Sequence, residues 1–454
     1  MSSINEGIFR QYDIRGIYNE DLTAKDAELI GKAFGTYIKR KGETEAVVGK
    51  DNRKSSPELF NSLVKGLLDT GISVKDIGTV VSPIFYYATH LYNIKSGIMI
   101  TASHNPAKYN GFKVQYDGRT LYGEELQDIK RLIQKDDFES GQGKLTVQSP
   151  VKDYISMIKE KIKLPGRRLK VVVDCGNGTA GLFAPKLLKE LGCEVIPLYC
   201  DSNPDFPNHF PDPVKPENLK DLIKAVKANK ADLGVGFDGD GDRLGVVDNL
   251  GNIIWGDMLM ILFWREILPK HPGTPAIVEV KCSETLVDEV KRLGGQPIFY
   301  KTGHSLIKAK MKELNAVFTG EMSGHMFFAD EYFGYDDALY ACARLLRILS
   351  GYSKPLSELL ADVPKTYATP EIRVECTEEE KLFYVGKAKA YFKASGNNII
   401  DIDGVRVQFD DGWGLVRASN TGPELIVRCE ARTPERLEQI KKEISDSICP
   451  LKVA

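Results

Sequence analysis

The sequence predicts an α/β protein: three similar α/β domains with mixed, mostly parallel sheets, then a smaller α+β domain, all four around a central cleft. Three observations carry this expectation. A β-rich run, a polar loop, an amphipathic helix, a Gly and a second β-rich run recur in that order three times. A strand–polar loop–strand element follows each copy and occurs once more near the C-terminus. The chain has 454 residues, enough for roughly three domains of ~150 residues each, with two or four also compatible.

The first copy runs from Ala46–Lys50 through a helix over Pro57–Leu68 to Ile72–Val74. Leu59, Phe60, Leu63, Val64, Leu67 and Leu68 share one helical face. Val171–Asp174 opens the second, with Ala184, Leu187, Leu188 and Leu191 on its helix and Val195-Ile196 after Gly192. The third runs from Ala276–Val280 through Leu286, Val287, Val290 and Leu293 to Ile298-Phe299. A Gly after each helix supplies the left-handed C-cap at low cost, and strand–helix–strand repetition implies parallel strands. A period above one hundred residues means repeated domains, not a solenoid. The linker-like Glu139–Gly143, the turn Asp248–Asn252 and Pro364–Pro370 suggest domains over 1–150, 151–251, 252–365 and 366–454. The last has alternating strands and a charged helix over Pro434–Ser447.

Composition narrows the function classes. Hydrophobic residues are 42%, charged residues 27%, and the formal charge is −2. This favours neither nucleic acid nor an anionic membrane as a bulk partner. The longest apolar run, Met258–Trp264, is far short of the ~20 residues that cross a bilayer. No basic stretch followed by an apolar one opens the chain, so no signal peptide is expected. Eight scattered cysteines without C-x-x-C fit a reducing, cytoplasmic compartment and no cysteine zinc site.

Four polar loops carry the chemistry, expected as walls of one cleft. In Asp238-Gly239-Asp240-Gly241-Asp242-Arg243, carboxylates at alternate positions can converge on one point. Their mutual repulsion favours a divalent cation, and an all-oxygen set suits Mg²⁺ over Zn²⁺. An EF-hand is excluded, with Arg243 where Gly is required and Asn249 where Glu is expected. Thr101-Ala102-Ser103-His104-Asn105-Pro106 offers Ser103 as a hydroxyl nucleophile, which needs activation. Arg10, Arg15 and Lys113 can stabilise a transferring phosphoryl group. Gly320-Glu321-Met322-Ser323-Gly324-His325 offers a carboxylate able to accept from two sugar hydroxyls. Arg417-Ala418-Ser419-Asn420-Thr421-Gly422, with Arg428 beyond, suits a non-reacting phosphate. His304 and His325 can move a proton near neutral pH, whereas His90, His209 and His271 read as structural or surface residues.

Together these loops resemble the α-D-phosphohexomutase superfamily, in its phosphomannomutase/phosphoglucomutase branch. The resemblance spans essentially the whole chain and includes Tyr12–Gly16, Phe206–His209 and Val280–Ser283. It implies an isomerase that interconverts hexose 1-phosphate and hexose 6-phosphate. Ser103 is phosphorylated at rest, and Asp238, Asp240 and Asp242 bind Mg²⁺ together with a phosphoryl oxygen on that serine. A hexose 1,6-bisphosphate forms, turns over and returns its other phosphate to Ser103. By the same resemblance Arg15, His104, Lys113 and Arg243 surround the transferring group. Tyr12, Lys281, Gly303, His304 and His325 line the sugar side, where Glu321 and Ser323 hold adjacent hydroxyls in two orientations. Arg417, Ser419, Asn420, Thr421 and Arg428 clamp the distal phosphate. The general acid/base is left open among Lys113, His304 and His325.

Met322 in the sugar loop resembles the dual-specificity branch, where a phosphoglucosamine mutase usually carries Gln. Phe210 departs from the second His often found after the residue equivalent to His209. The resemblance implies hexose phosphates as partners, no nucleic acid or membrane, and a monomer or small homo-oligomer. Phosphoglucosamine mutase and, less so, a metal-assisted sugar phosphatase are the alternative readings.

Overall fold

The computed structural model describes residues 4–419 and 422–449. The first segment builds a sheet from β1 (Ile14–Ile17), β2 (Glu45–Lys50), β3 (Ser73–Thr79), β4 (Ser96–Ile100), β5 (Tyr109–Tyr116), β6 (Arg119–Thr120) and β7 (Leu145–Val147). The order is β1-β5-β4-β2-β3-β7, with β6 on β5. Strands β4, β2, β3 and β7 are parallel, while β5 runs antiparallel to β4 and β1. Helices α1 (Ala24–Lys39), α2 (Ser56–Asp69), α3 (Ser82–Leu91) and α4 (Glu124–Lys135) connect and cover it. Ala46, Val47 and Val48 of β2 are fully buried, as a parallel strand covered on both faces requires. The linker-like stretch after Glu139 is not free chain, because β7 adds to β3 as an edge strand.

In the second segment α5 (Val151–Lys161), α6 (Ala184–Glu190) and α7 (Lys220–Asn229) accompany β8 (Lys170–Asp174), β9 (Glu194–Leu198), β10 (Leu233–Phe237), β11 (Leu244–Asp248) and β12 (Ile253–Ile254). The order is β12-β11-β10-β8-β9. Strands β9, β8 and β10 are parallel, and β10, β11 and β12 form antiparallel pairs. The Asp238–Arg243 loop is therefore the turn of an antiparallel hairpin at one end of a buried sheet.

The third segment contains α8 (Gly256–Ile267), β13 (Pro275–Glu279), α9 (Glu284–Arg292), β14 (Gln296–Tyr300), α10 (His304–Leu314), β15 (Phe318–Gly320), β16 (Met326–Phe328) and α11 (Ala338–Ser350). Strands β14, β13 and β15 are parallel. The longest apolar run of the sequence is the buried core of α8, where Phe263 and Trp264 meet Phe318 edge-on. The fourth segment is antiparallel throughout: β17 (Tyr367–Ala368), β18 (Ile372–Glu375), β19 (Asn398–Ile400), β20 (Val405–Phe409), β21 (Gly412–Ala418) and β22 (Glu424–Ala431). Helices α12 (Glu378–Ala394) and α13 (Pro434–Ser447) accompany it. The architecture is thus four-domain α/β, with mixed, mostly parallel sheets in the first three segments. Within Pro364–Pro370 the chain forms β17, so that stretch is more than a separator. Among the described residues no helix is long and apolar enough to cross a membrane.

Packing groups these segments into two compact units. One holds residues up to Gly256 together with Ser323–Glu358, and the other Asp257–Met322 together with residues from Leu359 onward. The sequence offers no sign of a division at Met322–Ser323, inside a six-residue loop. Its cause is hydrogen bonding: Leu244 N–H donates to Gly324 O (3.0 Å), Arg167 N–H to Ser350 O (3.1 Å) and Ser357 N–H to Asn249 Oδ1 (3.1 Å).

Asp337 anchors this returning stretch. It caps α11 by accepting from Tyr340 N–H (2.8 Å), and it also accepts from the hydroxyls of Tyr154 (2.7 Å) and Tyr332 (2.6 Å). Burial pushes its carboxyl up to about 6, while the donors Tyr332, Tyr340 and Tyr154 pull the other way. The folded value stands above that of an unfolded Asp, about 3.9. Its contribution to stability is therefore fully present below pH ~4 and lost as pH rises through about 6. Asp337→Asn keeps an acceptor oxygen but cannot ionise. It is expected to remove about 3 kcal/mol of the stability lost between pH 4 and 7. Thermal melts across that range check this, and an unchanged slope refutes it.

Candidate active site

Ser103 follows β4, in a turn that the chain alone would not favour. Its φ is 52°, a left-handed conformation that costs a non-Gly residue about 1–2 kcal/mol. Tertiary contacts hold it there. Ser103 N–H donates to Thr101 Oγ1 (2.9 Å). The fully buried Arg53 donates to four loop carbonyls, those of Ser103, Asn105, Pro106 and Tyr109, and its Nε pairs with Asp51 at 3.1 Å. Ser103 Oγ donates to Asp238 Oδ2 (2.7 Å) and lies 3.0 Å from His104 Nδ1. Burial, with the charges of Arg243 and Arg15, holds His104 well below the usual imidazole range and hence neutral. Arg15 reaches the same turn, donating to Asn105 Oδ1 (2.6 Å) and pairing with Asp13 (2.5 Å).

Asp238, Asp240 and Asp242 are all buried, and each offers a carboxylate oxygen within 4.8 Å of the others. At such separations each pair of charges repels by about 3–4 kcal/mol at an effective dielectric of ~20. Lys113 offsets part of this, with its Nζ 2.6 Å from Asp240 Oδ2 and 2.5 Å from Asp242 Oδ2. Burial works against the ammonium, but Asp240 and Asp242 outweigh it and hold it well above the ordinary lysine range. Among the described residues Asp238 makes no such ion pair. Burial, then the charges of Asp242 and Asp240, push its carboxyl well above the carboxylate range. Oδ1 of both Asp240 and Asp242 is buried without a hydrogen-bond partner among the described residues. Three carboxylates against one ammonium and the Arg243 guanidinium, with two oxygens lacking a hydrogen bond among the described residues, leave the loop short of positive charge, and an oxygen-preferring divalent cation fits that deficit. The hairpin also needs glycine. A Cβ on Gly239 would lie 2.2 Å from Ser103 O, so the metal loop and the serine turn touch only because residue 239 has no side chain.

His325 belongs to this group and not to the unit that holds Glu321. Arg243 Nε donates to His325 Nε2 (3.0 Å). Nδ1 of the same ring lies 3.1 Å from Asp336 Oδ2. Asp242, His325 and Asp336 also converge, each offering one ligand atom within 4.8 Å of the others. His325 Nε2 is engaged by Arg243 and the Lys113 ammonium by Asp240 and Asp242, which bears on the three candidates for proton transfer. Tyr12 is half-buried just before Asp13, and Ser323 is half-buried beside Gly324. Of the histidines read as structural, His209 pairs with Asp174 (3.1 Å) and His90 stacks on Phe333 and Tyr335.

The second unit holds most of the residues expected on the sugar and phosphate sides. Lys281 Nζ pairs with Glu371 (2.6 Å) and Glu279 (3.2 Å). Burial opposes its charge, but the two carboxylates raise it above the ordinary lysine range, and Lys281 in turn holds Glu371 down at about 2. Gly303, whose φ of 134° suits only glycine, donates its N–H to Glu321 Oε1 (2.7 Å) and starts α10 at His304. Asp403 Oδ2 accepts from both Arg417 Nε (3.0 Å) and Thr302 N–H (3.0 Å). Arg417 Nη2 is left buried without a partner among the described residues, a donor available to an anion. Arg428 donates to Lys281 O and to Met322 Sδ (2.6 Å), and faces Asp257 at 3.5 Å. Lys381 Nζ donates to Ser419 O (2.9 Å), bracing the phosphate loop. Asn420 and Thr421 lie outside the described residues.

Sequence reasoning missed Arg53, Asp51, Glu279, Asp336, Lys381 and Asp403. Each acts on a loop distant in sequence, and only Asp51 and Arg53, just after β2, carried a local signal. The touching loops yield a test. Gly239→Ala must push the hairpin away from the serine turn, and a displacement near 1 Å costs about a hundredfold in rate. Turnover is expected to fall by that order with far-ultraviolet circular dichroism unchanged; turnover within threefold of wild type would refute it.

Family models match the chain in order. Those for phosphoglucomutase/phosphomannomutase alpha/beta/alpha domains I, II and III match residues 6–140, 152–251 and 255–367, and that for the C-terminal domain matches 371–447. A phosphomannomutase/phosphoglucomutase of Pseudomonas aeruginosa is 48% identical over 96% of this chain and 94% of its own. A phosphoglucomutase of Neisseria meningitidis serogroup A is 46% identical over 98% of this chain and 97% of its own. The crystal structure of a phosphoglucomutase/phosphomannomutase family protein from Burkholderia thailandensis superposes with a TM-score of 0.93 at 41% identity, covering 99% of this chain and 100% of that one. With its buried serine–carboxylate hairpin and all four domains matched in order, the chain belongs to the phosphoglucomutase/phosphomannomutase family of isomerases.

Proposed function

We propose that this chain interconverts hexose 1-phosphates and hexose 6-phosphates, with Ser103 carrying the phosphoryl group and a hexose 1,6-bisphosphate as the bound intermediate. The observation that carries this reading is the 2.7 Å hydrogen bond from Ser103 Oγ to Asp238, one of three buried carboxylates short of a cation. Asp238, Asp240 and Asp242 would hold Mg²⁺, which supplies charge neutralisation for the phosphoryl group in flight.

The chain's own residues do the rest. Arg53 fixes the turn so that Ser103 Oγ stays aimed at the carboxylates. Arg15 and Arg243 bring guanidinium charge toward the transferring group, and the neutral His104 can share a hydrogen bond with the serine oxygen. Lys113 pairs with Asp240 and, against the effect of burial, holds the Asp242 carboxyl below the carboxylate range, ready for a cation. Glu321 and Ser323 are assigned to adjacent sugar hydroxyls, a pairing that survives reversal of the ring. Lys281, Gly303, His304 and Tyr12 are assigned to the sugar side. Arg417, Ser419, Asn420, Thr421 and Arg428 are assigned to the phosphate that is not reacting.

Phosphorus NMR of the enzyme with Mg²⁺ and a trace of glucose 1,6-bisphosphate tests the reaction. Mannose 1-phosphate, glucose 1-phosphate and glucosamine 1-phosphate are supplied separately. A growing 6-phosphate signal without inorganic phosphate is the expected result, and fastest turnover of glucosamine 1-phosphate would move the chain to another branch. Inorganic phosphate as sole product would replace a mutase with a phosphatase. Ser103→Ala is expected to lose about a thousandfold or more in kcat with its fold intact. Asp240→Asn removes one ligand charge and should weaken Mg²⁺ on the order of tenfold or more. Titration of activity against Mg²⁺ checks this, and a wild-type activation constant would overturn the ligand assignment.

A further inference from the structure

We propose that Glu279 is a positioning residue for sugar recognition, its single buried carboxylate setting the geometry of three substrate-side loops at once. The inference rests on the mutase reading above and adds a residue to it. Glu279 is the last residue of β13 and has no solvent exposure. It thus stands at the carboxyl end of a parallel strand, where open α/β sheets bind ligands.

Its partners decide the role. Thr302 Oγ1 donates to Glu279 Oε1 (2.7 Å), Met322 N–H donates to Oε2 (2.9 Å), and Lys281 Nζ lies 3.2 Å from Oε1. Each partner is itself assigned to the sugar or adjoins such a residue. Thr302 precedes Gly303 and His304, and Met322 follows Glu321. The bond from Gly303 N–H to Glu321 Oε1 cross-ties two of these loops directly. A buried carboxylate without such partners is costly, and an apolar side chain of similar size would fill a core position as well or better. Cys282 Sγ, next to Lys281, also donates weakly to Oε2 (4.0 Å), and a core role does not explain why the three close partners of the carboxylate, Thr302, Met322 and Lys281, all lie on loops assigned to substrate. Lys281 alone could be oriented by Glu371, whose side chain is 2.6 Å away. Thr302 N–H is also held by Asp403 Oδ2 (3.0 Å), but the Thr302 hydroxyl and the Met322 N–H have no second carboxylate among the described contacts. The carboxylate therefore acts on the sugar-binding loops as a set, and its loss weakens contacts made equally in ground and transition states. Such contacts appear in KM more than in kcat.

Steady-state kinetics with glucose 1-phosphate, Mg²⁺ and glucose 1,6-bisphosphate test this on the full-length wild type, Glu279→Gln, Glu279→Asp and Thr302→Val. Glu279→Gln is expected to raise KM about thirtyfold with a smaller change in kcat, and with the Mg²⁺ activation constant unchanged. Glu279→Asp restores the charge and should recover part of that loss. Thr302→Val removes one hydrogen bond and should raise KM about fivefold. Hydrogen exchange at the Met322 amide should quicken about tenfold or more in Glu279→Gln. KM within twofold of wild type for both Glu279→Gln and Thr302→Val overturns the proposal, as does a fall confined to kcat. Should Glu279→Gln not fold, Thr302→Val, which leaves the carboxylate in place, decides alone. A wild type without mutase turnover would instead count against the mutase reading, leaving Met322 exchange to judge the role of Glu279.

Discussion

Three aspartates buried within one six-residue turn would separate or neutralise if left to themselves. Asp238, Asp240 and Asp242 stay together because Lys113 reaches in from β5, and because Ser82 donates to Asp240 Oδ2 from the start of α3. Both come from the first sheet's segment, while the carboxylates come from the second. The electrostatic demand of the turn thus joins two α/β segments, and the serine turn is drawn against the hairpin at the same place. Arg53 and Asp51 make a second buried ion pair whose guanidinium is spent on loop carbonyls. Such pairs contribute little net stability, since desolvation offsets much of the attraction. They hold Ser103 in a backbone conformation it would otherwise leave.

The two units divide the chemistry. Ser103, His104, Arg15, Lys113, the three aspartates, Arg243 and His325 lie in one. Lys281, Gly303, His304, Glu321 and the described phosphate-loop residues lie in the other. In each, side chains near the candidate site are held by a carboxylate from another element or loop. Asp336 holds His325, Asp403 links Arg417 to Thr302, and Glu279 links Lys281, Thr302 and Met322. Orienting groups of this kind set catalytic geometry to within fractions of an ångström.

Much of the fold was legible because periodicity and punctuation are local. The amphipathic helix from Pro57, the charged helix Pro434–Ser447 and the strand–helix–strand copies follow from spacing and terminal glycines alone. The serine turn and the aspartate hairpin were legible for a related reason, since carboxylates at alternate positions must be close in sequence to converge. What escaped was either too short or too distant. Strand β7 is three exposed residues with no alternation to detect, and the division between Met322 and Ser323 falls inside a single loop.

Sequence by itself determined the α/β class, the repeated domains, the serine turn and the aspartate hairpin, because each is written within a dozen residues of chain. Tertiary structure decided which cations meet which carboxylates: Lys113 between Asp240 and Asp242, Arg243 on His325, and Lys281 between Glu279 and Glu371. It also decided the state of each group, raising Asp238 by burial and lowering His104 by burial beside two arginines. The physical reason is that charge interaction and desolvation depend on distance and enclosure in space, and neither varies regularly with position along the chain.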